Sequence, residues 1–292
     1  MNVAEPQSSL ARWIYRAYIA VFLIYLVAPL VAAGVFAFND SMFPMLPWKG
    51  FTLGWFFGNS GEQIGMFHDP RLLDGLLNSA EIGLMVAALS VLLGTCNAFL
   101  FERCDFPGKR FLYIVMIIPL VIPGVILGIS ILLLASMVAN WASNSLNIEL
   151  DLLRPGVFLI VLGQASFLTT ITSLVIAARL GKFDISLEEA ALNLGASRFR
   201  ALRTVTLPYL MPALVSAFIV AFLVSFENFN TTVMLVGSKA PLTITMYDRM
   251  VRVGSTPVLN AVSFFLMIAS GGLAVLSLFV QREKTEMRAT QR

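Results

Sequence analysis

Two groups of residues in this chain are spaced to do chemistry. The first is Ser186, Glu189, Ala190, Ala191 and Gly195, followed by Val205, Leu207 and Pro208. It interrupts two apolar runs, each long enough to cross a bilayer. A carboxylate, two small residues and a glycine in that order suit a rigid docking knob and make no bonds themselves. The second is Glu227, an acid within an apolar run, followed by Asn228 and Asn230. An ionisable group at the centre of a span costs on the order of 2.5–3.5 kcal/mol on insertion scales, so one placed there faces protein or water. Glu227 therefore suits attraction of a cationic solute or gating of its entry; equally it suits an interhelical partnership with Asn228, Asn230 or an arginine such as Arg249. Gln164, Ser166, Thr169 and Thr170, with Asn78 and Glu81, are candidates to line the same path. Polar residues also join membrane helices, at roughly 0.6 kcal/mol each.

Groups that make or break bonds are missing from the pattern. There is no H-E-x-x-H, no G-x-S-x-G and no G-x-x-x-x-G-K-[ST] phosphate loop. The single histidine, His68, lies beside Asp69 and Pro70 in a loop, and reads as a solvated residue. Cys96 falls inside an apolar run and Cys104 in a polar turn, so neither a disulfide nor a metal site is expected. The expectation is a chain with no catalytic residue, no metal and no cofactor of its own.

The elements that must position these residues are membrane helices. The 292 residues are 58% hydrophobic and 13% charged, whereas soluble domains run near 45–50% apolar and about 25% charged. Six spans are expected: Ala17–Phe38, Leu77–Phe101, Phe111–Val138, Gly156–Ala178, Met211–Leu235 and Pro257–Val280. Backbone polar groups in hydrocarbon must be satisfied within the segment, so the fold class is all-α and polytopic. Residues 1–16 and 281–292 read as polar tails around a membrane domain at 17–280. With both tails inside, fourteen of the 20 Lys and Arg fall on the cytoplasmic side, which sets the orientation. The basic pI of 9.0 thus reports topology, with the charge dispersed around membrane edges. The first apolar run exceeds the 7–15 residues of a signal-peptide core, so an uncleaved anchor is expected.

On this topology residues 179–208 form a cytoplasmic loop. Ser186-Leu187-Glu188-Glu189 fits a reciprocal capping box between Ser186 and Glu189. Leu187, Ala190, Ala191 and Leu194 follow at i, i+3, i+4 and i+7, one apolar stripe. Gly195 suits the left-handed residue that ends a helix. Ser197 can cap a second short helix carrying Phe199, Leu202 and Val205, and Pro208 suits the first turn of span five. Elsewhere, Pro119, Pro123 and Gly124 predict a kink or break in span three. The first outer loop, from Asn39 to about Leu76, is rich in Trp and Phe, as a segment lying in the headgroup layer or a platform for an outer partner would be. Glu227 lies sixteen residues beyond Met211, about 24 Å along a helix rising ~1.5 Å per residue, which predicts a place in the outer third of the span.

The order from Glu189 to Pro208 resembles the cytoplasmic loop of bacterial ABC-importer permeases. The six-span spacing, Phe38-Asn39-Asp40-Ser41, Trp48 to Thr52, and the distal Pro241-Leu242-Thr243-Ile244 and Met250-Val251-Arg252-Val253-Gly254 resemble the spermidine/putrescine type, and the similarity covers nearly the whole chain. The resemblance implies a type I importer fold and docking of an ATPase on Ser186, Glu189, Ala190, Ala191, Gly195, Val205, Leu207 and Pro208. It also implies a second permease subunit, two cytoplasmic ATPase subunits that hold ATP and magnesium, and a periplasmic binding protein. Polyamine permeases of this type often carry two adjacent acids in span five, where this chain has Glu227 followed by Asn228. An opine, an aminophosphonate or another organic cation or zwitterion therefore stands beside a polyamine as the solute. A secondary transporter working without ATP would instead carry midplane coupling residues or internal symmetry, and neither is visible.

Overall fold

The computed structural model describes residues 9–60 and 63–289. In chain order its elements are α1 (Ser9–Phe36), α2 (Gly54–Phe57), a two-stranded hairpin of β1 (Asn59–Ser60) and β2 (Gln63–Ile64), α3 (Pro70–Arg103), α4 (Lys109–Val121) and α5 (Gly124–Leu146). After these come α6 (Val157–Leu180), α7 (Ser186–Asn193), α8 (Arg198–Ala201), α9 (Leu207–Phe226), α10 (Thr232–Leu235), α11 (Leu242–Val253) and α12 (Pro257–Ala289). Among the described residues six helices are long and apolar enough to cross a membrane: Leu10–Phe36, Pro70–Arg103, Gly124–Leu146, Val157–Leu180, Arg198–Phe226 and Pro257–Val275.

Several limits differ from expectation, each for a local reason. Residues 9–16 already belong to α1, so only 1–8 of the expected tail remain, and these lie outside the described residues. Likewise α12 runs to Ala289, and of the other tail 290–292 lie outside the described residues. The second span starts at Pro70, ahead of Leu77, because the Asp69 carboxylate accepts the amides of Arg71 (3.0 Å) and Leu72 (3.3 Å) while Pro70 takes the first helical position. The third is broken into α4 and α5, as its prolines predict: Ile122 is extended ahead of Pro123. The fifth stops at Phe226, short of Leu235.

The chain forms two compact units. One comprises residues 9–73 with Arg249–Ala269, the other Asp74–Asp248 with residues 270–289. In the first, the loop after α1 is folded on Asn39, which is fully buried. Its Nδ2 donates to the Met45 carbonyl (3.2 Å), its Oδ1 accepts the Lys49 amide (3.0 Å), and its carbonyl accepts Trp55 Nε1 (2.9 Å). Phe38 packs against Phe51, Phe56 and Phe264 at about 5 Å between ring centres. The Asp69 carboxylate also binds Arg249.

In the second unit α6 is the central helix: 56% of its apolar window is buried, against 6% for α1. Ile160, Leu168 and Ile176 are buried completely, packed into clusters with Ile82, Val86, Leu159 and Leu235 and with Ala98 and Ala217. Small residues let its neighbours come close, as membrane helices require when lipid is as apolar as leucine. A Cβ on Gly94 of α3 would lie 2.9 Å from Thr172 Cβ and 3.0 Å from the Ser173 amide nitrogen of α6. One on Gly163 of α6 would lie 2.5 Å from Leu235 Cδ1 of α10.

Candidate functional site

The polar segment after α6 folds as an elbow of two short helices. Its start is capped differently from the predicted box. The residue before α7 is Ile185, whose carbonyl takes the Glu189 amide (3.1 Å), and the cap is Asp184, which accepts the Ser186 amide (3.0 Å). Hydrogen bonds from the Ser186 hydroxyl and amide hold the Asp184 carboxyl below the usual carboxylate range. The competing signal was the Asp two residues ahead of a serine, which closes a turn on its own backbone. At the other end Gly195 has φ 87°, and the Ala196 amide reaches back to the Ala191 carbonyl (3.0 Å), the closing bond of a left-handed helix cap. A Cβ at Gly195 would meet nothing within 4 Å, so the demand for glycine there is one of backbone conformation. Ser197 caps α8 as predicted, its hydroxyl accepting the Arg200 amide at 3.3 Å.

The elbow presents its apolar side chains outward. Leu194 is 89% exposed, Phe199 72% and Leu187 50%. Glu189 and Ala190 are also exposed, while Ala191 is half-buried. Among the described residues the Glu189 carboxylate has no partner. Val205 and Leu207 are half-buried and Pro208 exposed where the elbow joins span five. There, Leu202–Thr206 forms a π-helical turn, with the Leu207 amide bonded to the Leu202 carbonyl. Pro208 has no amide hydrogen to offer the Thr204 carbonyl, and its ring would crowd that oxygen in a regular helix, so the widened turn relieves both.

Residues that the sequence reading did not single out brace the elbow from beneath. Glu188 accepts Arg103 Nη1 and Nη2 at 3.3 Å each, and the same carboxylate accepts the Thr206 hydroxyl. Each partner of this ion pair is 22% exposed. The Arg103 guanidinium lies over Phe183 (5.3 Å), Phe183 meets Tyr209 edge to face (5.0 Å), and Tyr209 receives Arg179 both on its ring (4.6 Å) and at its carbonyl (2.7 Å). Glu188 was visible as an acid off the apolar stripe, but its partner is 85 residues away, beyond the reach of local patterning.

The predicted pathway residues fall into four places. Glu227, Asn228 and Asn230 lie where α9 ends. Asn228 Oδ1 accepts the Thr231 amide and the Thr232 hydroxyl, both at 3.2 Å, which starts α10 and stops the helix before it. Glu227 therefore stands at the end of a bilayer-length helix, not inside one. It is exposed, as is Asn230, and among the described residues its carboxylate has no partner. Arg249, a candidate partner for it, is bound to Asp69 instead. Gln164 is 1% exposed and ties three helices: Nε2 donates to Thr232 (2.8 Å) and Oε1 accepts the Ser225 hydroxyl. Ser166, Thr169 and Thr170 line a cavity of about 240 Å³ with Asn97, Phe101 and residues of α4. Thr170 donates to the Met116 carbonyl across it (2.5 Å), and the buried Thr169 hydroxyl has no partner among the described residues. At the far end of α3, Asn78 donates to the Ala240 carbonyl (3.1 Å) and Glu81 meets Lys239 at 3.6 Å.

Six apolar helices long enough to cross a membrane, a braced elbow with its apolar face outward and a carboxylate at a helix break suit a membrane transport permease. The chain belongs to the binding-protein-dependent transport system inner membrane component family, whose model matches residues 90–284. It is 26% identical over 281 residues to the spermidine/putrescine transport system permease protein PotC of Escherichia coli (strain K12), covering 95% of this chain and 97% of that one. To the putrescine transport system permease protein PotI of the same organism it is 29% identical over 274 residues, 92% of this chain and 91% of that one. The molybdenum transport system permease protein ModB, also of that strain, is 31% identical over 217 residues, 73% of this chain and 92% of ModB. In fold it matches a bacterial ABC transporter involved in the import of the acidic polysaccharide alginate, with TM-score 0.65 over 94% of this chain and 96% of the other, at 18% identity. The architecture is that of type I ABC importer permeases, and the protein is a multi-pass component of the inner membrane.

Proposed function

We propose that this permease imports a small amino-containing organic cation of the polyamine class. Glu227 carries the reading. An exposed carboxylate with no partner among the described residues stands at the C-terminal end of α9. A helix C-terminus already bears partial negative charge from its unpaired carbonyls, so an acid there is destabilised until a cation arrives. Broken helices whose C-terminal ends face cations are a recurring device in transporters. The similarity to PotC and PotI points to the same class of solute. Asn228, in the place where polyamine permeases often carry a second acid, favours a singly charged or zwitterionic amine as the second reading.

Energy enters at the elbow. A partner ATPase, holding ATP and magnesium, docks on the apolar face around Glu189, Ala190 and Leu194; the full importer pairs this chain with a second permease subunit, two ATPase subunits and a periplasmic binding protein. Both termini then lie in the cytoplasm, as the Lys and Arg bias supports.

The test joins a ligand screen to a variant. Calorimetry on the binding protein encoded beside this permease should show a polyamine or related amine as its ligand. Glu227→Gln should then slow uptake of that amine in proteoliposomes. A partly exposed ion pair contributes roughly 1 kcal/mol at most, so the loss is up to about fivefold. A binding protein that holds only anions or neutral solutes refutes the substrate class.

A further inference from the structure

The two adjacent acids of the elbow do different things. Glu189 is exposed and has no partner among the described residues, whereas Glu188 is turned inward and engaged at both oxygens. We propose that Glu188, Arg103 and Thr206 are the internal half of the coupling device, the positioning residues through which a push on α7 enters the membrane helices. The proposal rests on the reading of the elbow as the surface that receives the ATPase.

One carboxylate joins three elements. Arg103 is the last residue of α3, Glu188 belongs to α7, and Thr206 ends the π-turn that opens into α9. The arginine fork is bidentate, the geometry that fixes orientation as well as distance. Because Thr206 holds the same carboxylate, α7 cannot shift without drawing on α3 or α9. The point of entry into α9 is also the least regular place in that helix. The π-turn at Leu202–Thr206 and the missing amide of Pro208 leave its ladder already interrupted, so a displacement of Thr206 is absorbed there as a pivot. Arg103 is held from its other side by the Phe183 ring, which in turn packs on Tyr209 of α9. The guanidinium thus sits between two contacts that both lead to span five.

The experiment uses the whole importer in proteoliposomes, with ATPase, second permease and loaded binding protein. Three quantities are read: yield of the assembled complex, ATP hydrolysis stimulated by the binding protein, and solute moved per ATP. Glu188→Gln should assemble and hydrolyse ATP, with solute per ATP reduced about tenfold. Thr206→Val, which keeps the ion pair, should show a smaller loss of the same ratio. The exchange Arg103→Glu with Glu188→Arg should restore most of it, since a threonine hydroxyl donates to a carboxylate and accepts from a guanidinium alike. Wild-type solute per ATP in Glu188→Gln overturns the proposal, as does an exchanged pair that assembles but stays uncoupled. If Glu188→Gln fails to assemble, wild-type coupling in Thr206→Val overturns it equally. Failure of the elbow reading itself shows elsewhere, as undiminished ATPase binding when the exposed face of α7 is made polar.

Discussion

Replacing Leu194 with serine removes the most exposed apolar side chain of the elbow and leaves its framework untouched. Leu194 is 89% exposed, so its side chain adds almost nothing to the packing of this chain. A surface substitution of that kind changes folding stability by about 0.5 kcal/mol or less. Covered by a partner, a leucine side chain contributes about 1.5–3 kcal/mol. Nine-tenths of that is about 1.4–2.7 kcal/mol, and at 1.4 kcal/mol per decade ATPase affinity should fall roughly 10- to 80-fold. Phe199, 72% exposed on the second helix of the elbow, should behave alike if one surface covers both. The assay is titration of the isolated ATPase subunit against the permease pair in nanodiscs, with thermal unfolding of the permease as the control for folding. Affinities within twofold of wild type for both variants would refute the elbow as the docking surface. A large loss for Leu194→Ser alone would restrict docking to α7.

Two further variants examine the helices behind the site. Gln164→Leu keeps the volume but strands the buried Ser225 hydroxyl and leaves that of Thr232 bonded to Asn228 alone; at roughly 0.6 kcal/mol per interhelical hydrogen bond, the permease should lose about 1 kcal/mol of stability in detergent unfolding, and a change in solute preference with stability intact would show that Gln164 faces the path instead. Gly94→Ala places a methyl group against the backbone and Cβ of α6. Overpacking of this kind costs about 1–3 kcal/mol, so the unfolding midpoint should drop, and Thr172→Ala in the same chain should recover part of it; an unshifted midpoint would mean that α3 and α6 are not packed at Gly94.

Local chemistry carried much of the fold. Runs of apolar residues longer than a bilayer can only be helices, because no water is there to satisfy the backbone. Pro123 breaks the third span for a local reason, since its ring disfavours a helical Ile122, which is extended. Gly195 ends α7 for an equally local reason, a left-handed backbone that a side chain resists. The apolar stripe of α7 was likewise present in the order of its residues.

Tertiary structure decided which of two acids in each place is spent. Glu188 and Glu189 are indistinguishable by type and adjacent in sequence, yet only the first meets Arg103 and Thr206. Arg249 was as fit to pair with Glu227 as with Asp69, and it pairs with Asp69. Gln164, a candidate lining residue by type, is bonded at both ends, to Ser225 and Thr232. The physical reason is one of range. Helix starts, breaks and stripes arise from sterics and hydrogen bonds within a turn or two, which order along the chain specifies. The partners of Glu188, Arg249 and Gln164 lie 18 to 180 residues away, and only packing of the helices brings them to within 3 Å or so. The segment from Glu189 to Pro208 thus carried the stripe and the glycine stop of the elbow in its own order. That Glu227 is exposed, with no partner among the described residues, came only with the folded chain.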